Sequence, residues 1–449
     1  VTSGSAPSPL LRILGAADGA AVTVGVAVGM GIFRAPAEVA APLIALPALI
    51  VPVWLLGGLY AFLDGLVLAE LSALFPRAGG WYVYLREGIG RFPAFLWGWA
   101  FVLVIDPGSN AALTVAFGEY CGLLFGWTPG GAAEKGAALA AVALIYGINA
   151  LGLRPGARAQ AAFTWTKVAA LVALGAGAWM LPAAPAAAPA PAVPAGAFLS
   201  AFGLALLPVL WTYDGYANTV TLGGEVRDPA RSVPRGLLGG ILTLVLLYGF
   251  LNGAYLHALG AHGLATTVSP AGDVARELLG PAGRTALIAL ALFTALGSLN
   301  GAFLSISRVP YAMARDDAAP AVFARVSPGG TPRPALSLLA ALCAAYTLLG
   351  DFRTLVDQTV FVATLGNLLV VAAFWRLRRT RPDAPRPFRA PLGAALALLL
   401  FVGQGALLAN TLLQRGSSLW GGAAVLAAGL VYWAVRRRRP PLPGTADGR

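Results

Sequence analysis

Long apolar blocks separated by short polar connections run through almost the whole chain. The blocks fall at residues 16–41, 46–71, 92–124, 134–153, 159–181, 198–223, 236–258, 284–312, 333–350, 354–376, 391–413 and 418–435. Each is close to the roughly 20 residues that carry a helix across about 30 Å of hydrocarbon, and the long third and eighth suit tilted helices. The pattern predicts an all-α integral membrane protein with about twelve transmembrane helices.

Composition agrees and narrows the class. Of 449 residues, 58% are hydrophobic and 11% charged, against about 25% charged in soluble domains. A soluble enzyme, a disordered chain and a collagen-like chain are excluded. The formal charge of +12 invites a nucleic-acid reading, but the positions of the charges decide otherwise. Of the 31 basic residues, 24 fall in the termini and the connections on one side, 6 fall on the other, and Lys167 lies inside a block. By the positive-inside rule both termini are expected in the cytoplasm of a multi-pass cell-membrane protein. The charge is therefore topology, and no nucleic-acid partner is expected. The opening VTSGSAPSPL has no basic start feeding a short apolar core, so the first block is expected to be a true span. Cys121 and Cys343 lie far apart in apolar segments and read as small buried hydrophobes.

Two blocks are interrupted at their middle, where hydrocarbon offers backbone groups no partner. The first carries Gly25, Gly29 and Gly31; the sixth carries Trp211-Thr212-Tyr213-Asp214-Gly215. Corresponding interruptions in two halves of a chain point to a transporter site at the membrane midplane. A half-helix beginning near Ile32 would present free amides, with positive dipole character suited to a carboxylate. A half-helix ending near Tyr213 would present free carbonyls suited to an ammonium. Together they match the two ends of an α-amino acid. At Gly25 and Gly29 plain helix packing explains the glycines equally well.

The segments GMGIF (29–33), LAELSALFPRAGGWYVYLREGIG (68–90), WTYDGY (211–216), EVRDPARSVPR (225–235) and SLNGAFLSISRVPYAMARDDAAP (298–320) resemble the amino acid–polyamine–organocation transporter superfamily, most closely its bacterial members similar to L-type amino acid exchangers. The resemblance implies a LeuT-type fold with 5+5 inverted repeats and discontinuous helices 1 and 6. Residues 1–181 would hold the N-terminal tail and first repeat, and 182–197 a Pro/Ala-rich outer linker. The second repeat would fill 198–376, with a cytoplasmic loop and two further helices in 377–435 and a basic tail in 436–449. It also implies a substrate carboxylate held at Gly29, Met30, Gly31 and Ile32, and a substrate amine near Trp211, Thr212 and Asp214. Trp211 takes the place of the aromatic residue that closes over substrate, with Tyr213 and Tyr216 as alternatives and Gly215 completing the break. Many members carry a serine where this chain has Met30, so the carboxylate would rest on backbone amides, in a site narrowed for a small substrate.

Among the charges inside the apolar blocks, Lys167, Asp106 and Asp214 stand out. Lys167 lies nine residues from Arg158, about 13 Å along a helix and near mid-bilayer. Its ammonium must find polar partners or lose its proton. The resemblance implies a lysine that stands in for sodium against the broken first span, with a role in proton coupling or gating; a permanently charged brace is the alternative. Asp106, in the third block, precedes Pro107, which frees a carbonyl one turn back; substrate, Lys167 and water are its candidate partners. Asp214 either meets the substrate amine or forms a turn before glycine. Asp64 and Glu70 are expected to pair with cytoplasmic arginines, Arg34 to line an outer vestibule, and residues 225–235 to form either charge pairs that a gate can break or a solvated turn. His257 and His262 are too peripheral for a metal centre, and no metal or cofactor is expected.

These features predict an amino acid transporter working by alternating access, and not an enzyme, since no nucleophile–base constellation stands out. Sodium-independent exchange of neutral L-amino acids is the first expectation. Proton-coupled symport, cationic amino acid or polyamine antiport, and an amino-acid-binding receptor without transport are the alternatives. No outer-loop cysteine is available to tether an accessory subunit, so none is expected.

Overall fold

The computed structural model describes residues 10–185, 195–267, 269–350, 352–415 and 427–431. Among them the α-helices run in chain order as α1 (Ala16–Ala27), α2 (Gly31–Ala40), α3 (Ile50–Leu74), α4 (Trp81–Gly88), α5 (Arg91–Ala100), α6 (Asp106–Phe125), α7 (Ala132–Ala150) and α8 (Leu153–Met180). They continue as α9 (Ala195–Tyr213), α10 (Pro229–Thr266), α11 (Pro270–Leu279), α12 (Pro281–Ile306), α13 (Arg308–Arg315), α14 (Arg333–Leu349), α15 (Phe352–Thr380) and α16 (Ala394–Arg415). No strand is present among the described residues beyond two isolated bridges, Leu14 with Val226 and Ala78 with Leu222.

Among the described residues, five helical stretches are long and apolar enough to cross a bilayer: Pro47–Leu74, Arg91–Phe125, Leu153–Met180, Pro229–Thr266 and Pro281–Arg315. The pair α1 and α2 makes a further one, bent by 54°. These correspond to the second, third, fifth, seventh, eighth and first apolar blocks. Helices α7, α9, α14, α15 and α16 lie on the fourth, sixth, ninth, tenth and eleventh. Most of the linker at 182–197, most of the twelfth block and the whole tail at 436–449 lie outside the described residues. Proline opens or nearly opens α10, α11, α12 and α14, where its missing N–H has no intrahelical partner to lose.

Lipid tails are as apolar as leucine, so membrane helices associate through close approach and hydrogen bonds rather than hydrophobic burial. Helix α10 packs along both α3 and α1, and small residues set the separation. A methyl group added at Gly236 would come within 2.7 Å of the Ala16 carbonyl oxygen, and one at Gly240 within 2.5 Å of Thr23. Behind α1, a chain of polar side chains ties four helices together. Asn149 donates to Asn300 at 2.9 Å, Asn300 to Gln160 at 2.9 Å, and Thr164 to the Ala21 carbonyl at 2.8 Å.

The arginine-bearing connections meet one another. Glu70, at the end of α3, accepts from Arg378 at 2.5 Å, from Arg386 at 3.1 Å and from the Ala390 amide at 2.8 Å. Glu87 accepts from Arg77 and Arg86 at 2.8 Å and from Arg381 at 3.2 Å, and Arg86 also pairs with Asp316. Burial pushes the Glu87 carboxyl up, but the hydrogen bonds from Arg86 and Arg77 outweigh it and hold it below its ordinary range. The segment after the sixth block makes a buried pair: Glu225 accepts from Arg308 at 2.6 and 2.8 Å. The Glu225 carbonyl also takes the amides of Ile13 and Leu14 at 3.0 Å, fastening the N-terminal segment across the same end.

Candidate substrate site

Both interruptions exist, and they adjoin. Helix α1 ends at Ala27 and α2 begins at Gly31. The last carbonyls of α1 and the first amides of α2 therefore lack helical partners. Helix α9 ends at Tyr213, Asp214 turns back to donate to the Trp211 carbonyl at 3.1 Å, and a 3₁₀ turn follows from Tyr216 to Thr221. Gly215 joins these pieces with φ at +94°, and a methyl group there would stand 2.8 Å from Val26 of the first break. Only glycine adopts that conformation at no steric cost, and only glycine admits the first break so closely.

Three side chains satisfy the freed backbone. The Lys167 ammonium, buried on α8, donates to the carbonyls of Gly25 at 2.5 Å and Val28 at 2.6 Å, and lies 3.3 Å from the Ser298 hydroxyl on α12. Ser298 reaches the same two carbonyls at 3.1 and 3.0 Å. A cation here also faces the negative end of the α1 dipole. From α10, the Tyr248 hydroxyl lies 3.0 Å from the Ala27 carbonyl and 3.2 Å from that of Thr212, so one group bridges both breaks. Gly25 itself is a packing glycine: a methyl group would fall 2.0 Å from Gln160 and 2.1 Å from Thr164.

The third block contributes through a local irregularity. Its helix passes through a π-helical turn at Phe101–Ile105 before α6 begins at Asp106, a distortion found often at functional sites. Pro107 has no amide for the Leu103 carbonyl, which instead accepts the Tyr346 hydroxyl at 2.7 Å. One turn on, Asn110 donates to the Asp106 carboxylate at 2.6 Å and to its carbonyl at 2.9 Å.

These pieces enclose a cavity of about 200 Å³. That is below the ~300–1,000 Å³ of sites for drug-sized ligands and suits a small metabolite. Gly29, Met30 and Gly31 line it from the first break, Trp211, Thr212, Asp214 and Gly215 from the second, and Asp106 from α6. Tyr213 departs from expectation, and Ile32 leaves only its backbone amide to the break. Ile32 is fully buried in the core, and Tyr213 is turned away, its hydroxyl donating to the Trp54 carbonyl at 3.2 Å. Lys167 stands behind the first break rather than in the cavity wall. Glu70 pairs with arginines as expected, but Asp64 does not: it lines the cavity and accepts from Tyr216 at 2.7 Å. Arg34 is exposed and pairs with Glu38 at 3.0 Å. His257 stacks on Trp179, away from the site. Among the described residues no group of three His, Cys, Asp or Glu side chains could hold a metal. Sequence reading missed Ser298, Asn110 and Tyr248. Only Asn110 left a signal, one helical turn after an intramembrane acid.

The chain is 30% identical over 430 residues to the serine/threonine exchanger SteT of Bacillus subtilis, covering 93% of this chain and 95% of that one. It is 31% identical over 389 residues to b(0,+)-type amino acid transporter 1 of Homo sapiens, covering 85% and 79%. It is 28% identical over 420 residues to large neutral amino acids transporter small subunit 2 of Oryctolagus cuniculus, covering 89% and 76%. All three are amino acid transporters by name. Residues 14–435 match the amino acid permease family. That match runs from just before the first broken helix to the end of the last apolar block and takes in both breaks and the cavity between them, so the chain is a multi-pass membrane protein that belongs to the amino acid permease family, within the superfamily its motifs resemble.

Proposed function

We propose that the chain is a sodium-independent exchanger of neutral L-amino acids, built on twelve spans in two inverted five-helix repeats and working by alternating access. The observation that carries this is the adjacency of the two breaks on one cavity. The first turn of α2 offers amides to a carboxylate from Gly31 and Ile32, and Met30 fills the space beside them. The end of α9 offers carbonyls and Asp214 to an ammonium, and Trp211, partly exposed over the cavity, is the group placed to close it. Lys167 occupies the carbonyl cluster that a coupling sodium would otherwise require, which supports independence from sodium. Both termini lie in the cytoplasm on this reading, and the buried state of Cys121 and Cys343 supports a transporter acting without a disulfide-linked partner.

Counterflow into proteoliposomes across an amino-acid panel, with and without sodium, tests it. L-serine and L-threonine come first, given the name of the Bacillus subtilis relative. Trans-stimulated uptake that ignores sodium is expected. Absence of flux for every amino acid and amine would remove the transport reading.

One observation favours a second substrate class. Asp64, Asp106 and Asp214 line the cavity, and among the described residues no lysine or arginine does. Such a wall favours a substrate with a positive side chain, so L-arginine and diamines belong in the same panel.

A further inference from the structure

Beyond the charge it lends the cavity wall, Asp64 has no part in the exchange scheme above, and its surroundings are unusual. It projects from the middle of α3 into the cavity wall, where one oxygen accepts from the Tyr216 hydroxyl at 2.7 Å. The other lies 3.4 Å from the Gln404 side-chain nitrogen on α16. Both donors are neutral. Gln404 is buried, and its carbonyl oxygen has no hydrogen-bond partner. An amide beside a carboxylate can offer one donor; beside a carboxylic acid it can offer a donor and an acceptor together. A protonated Asp64 could donate to the unpartnered oxygen of Gln404 in a paired acid–amide contact, which an ionised Asp64 cannot do.

Among the described residues, the groups packed around this carboxyl leave no competing cation. Tyr60 lies on its own helix, and Tyr216 and Asp214 come from the second break. From α9, Tyr213 is committed to the Trp54 carbonyl, and from α10, Tyr248 to Ala27 and Thr212. From α15, Arg378 is held by Glu70. From α16 the contribution is Gln404.

We propose that Asp64 is a proton-binding site of the transport cycle, distinct from Lys167, taking its proton from water in the substrate cavity and exchanging it as the second break rearranges. Hydronium gives up a proton to the carboxylate and leaves as water; on the return leg the carboxyl releases it to water again. Because Tyr216 belongs to the 3₁₀ turn after Gly215, movement of the second break withdraws the donor that favours the ionised form. One leg of exchange would then carry a proton, and an acid exterior would drive inward movement of the amino acid carried on that leg. This inference rests on the transport reading of the cavity.

The test uses purified full-length protein in proteoliposomes loaded with a pH-sensitive dye. Its probe is whichever amino acid gives the fastest counterflow in a panel including L-serine, L-threonine and L-arginine. Counterflow at equal pH measures transport itself and stands or falls with that reading alone. Protons moved per amino acid taken up measure the site. Wild type is expected to acidify the lumen during uptake. Asp64→Asn, whose amide reproduces the protonated pairing with Gln404 and Tyr216, is expected to lose that signal per amino acid transported. Tyr216→Phe removes the shortest donor to the carboxylate and is expected to shift the pH of half-maximal stimulation upward. Uptake without proton movement in wild type, or an unchanged proton ratio in Asp64→Asn, overturns the proposal. If Asp64→Asn yields no counterflow, an unmoved midpoint in Tyr216→Phe overturns it instead.

Discussion

The Lys167 ammonium lies 2.5 Å from the carbonyl oxygen of Gly25, in the last turn of α1. That carbonyl is orphaned because the helix stops two residues later, so the lysine serves the break rather than a partner acid. With Val28 and Ser298 it has three partners for its three N–H groups.

Lys167→Ala removes the donor that two buried carbonyls share. Ser298 remains near both, so the deficit is about one unsatisfied group, ~1–3 kcal/mol. If that energy falls on the geometry of the break, counterflow drops roughly 5- to 150-fold. Lys167→Ala with wild-type flux and wild-type pH dependence would take the residue out of the mechanism.

Tyr248→Phe deletes a hydroxyl that bridges the two broken helices and leaves the ring in place. The ring packs edge-on against Trp54 at 5.8 Å and Tyr213 at 4.9 Å between centroids, so folding is expected to survive. The lost hydrogen bonding is about 0.5–1.5 kcal/mol. The expected effect is a several-fold rise in the apparent KM for counterflow with little change in melting temperature. The reverse pattern, lowered melting with unchanged KM, would assign Tyr248 to packing alone.

Much of this site is visible in the sequence because a break in an apolar helix is a local event. Glycines at 29 and 31 and the Asp-Gly step at 214–215 disturb hydropathy where they stand, and the depth of Lys167 follows from counting along a helix. Orientation about the helix axis is less visible. Ile32 and Tyr213 adjoin the breaks, but a turn of about 100° per residue aims them into the core. Asp64 and Glu70 look alike in sequence, yet six residues place them about 9 Å apart along α3 and on different faces. One meets arginines and the other the cavity. Tyr248 and Gln404 carry no signal at all, since their partners lie far away in the chain and nothing in their own segments differs from ordinary spans. Ser298 opens the 298–320 motif, but nothing there points to the first break.

At the arginine-rich end, Glu87 gives a pH dependence of stability. Burial raises its carboxyl and the hydrogen bonds from Arg86 and Arg77 lower it further still, for a net depression below its ordinary range. A group lowered on folding contributes stability above its unfolded pKa of about 4.3 and loses that contribution as pH falls through the folded value. Glu87→Gln in detergent is therefore expected to melt below wild type at neutral pH. The gap should close as the buffer is taken below about pH 4. A gap that stays constant with pH would mean that the arginines hold Glu87 by shape rather than by charge.

Glu225 and Arg308 are both almost wholly buried, and they meet through two hydrogen bonds. Arg308 also donates to the Leu304 carbonyl and to the Ser307 hydroxyl at 2.8 Å. Removing one partner strands a charge away from water, which costs about 3–5 kcal/mol; replacing both with uncharged groups is often close to neutral. Glu225→Gln and Arg308→Met are each expected to lower the melting temperature and the yield of folded protein. The double variant should recover most of both. If it melts where the two single losses add, the pair is not the unit that holds this end together. The two bonds from the Glu225 carbonyl to the N-terminal segment would then be the contacts to remove next.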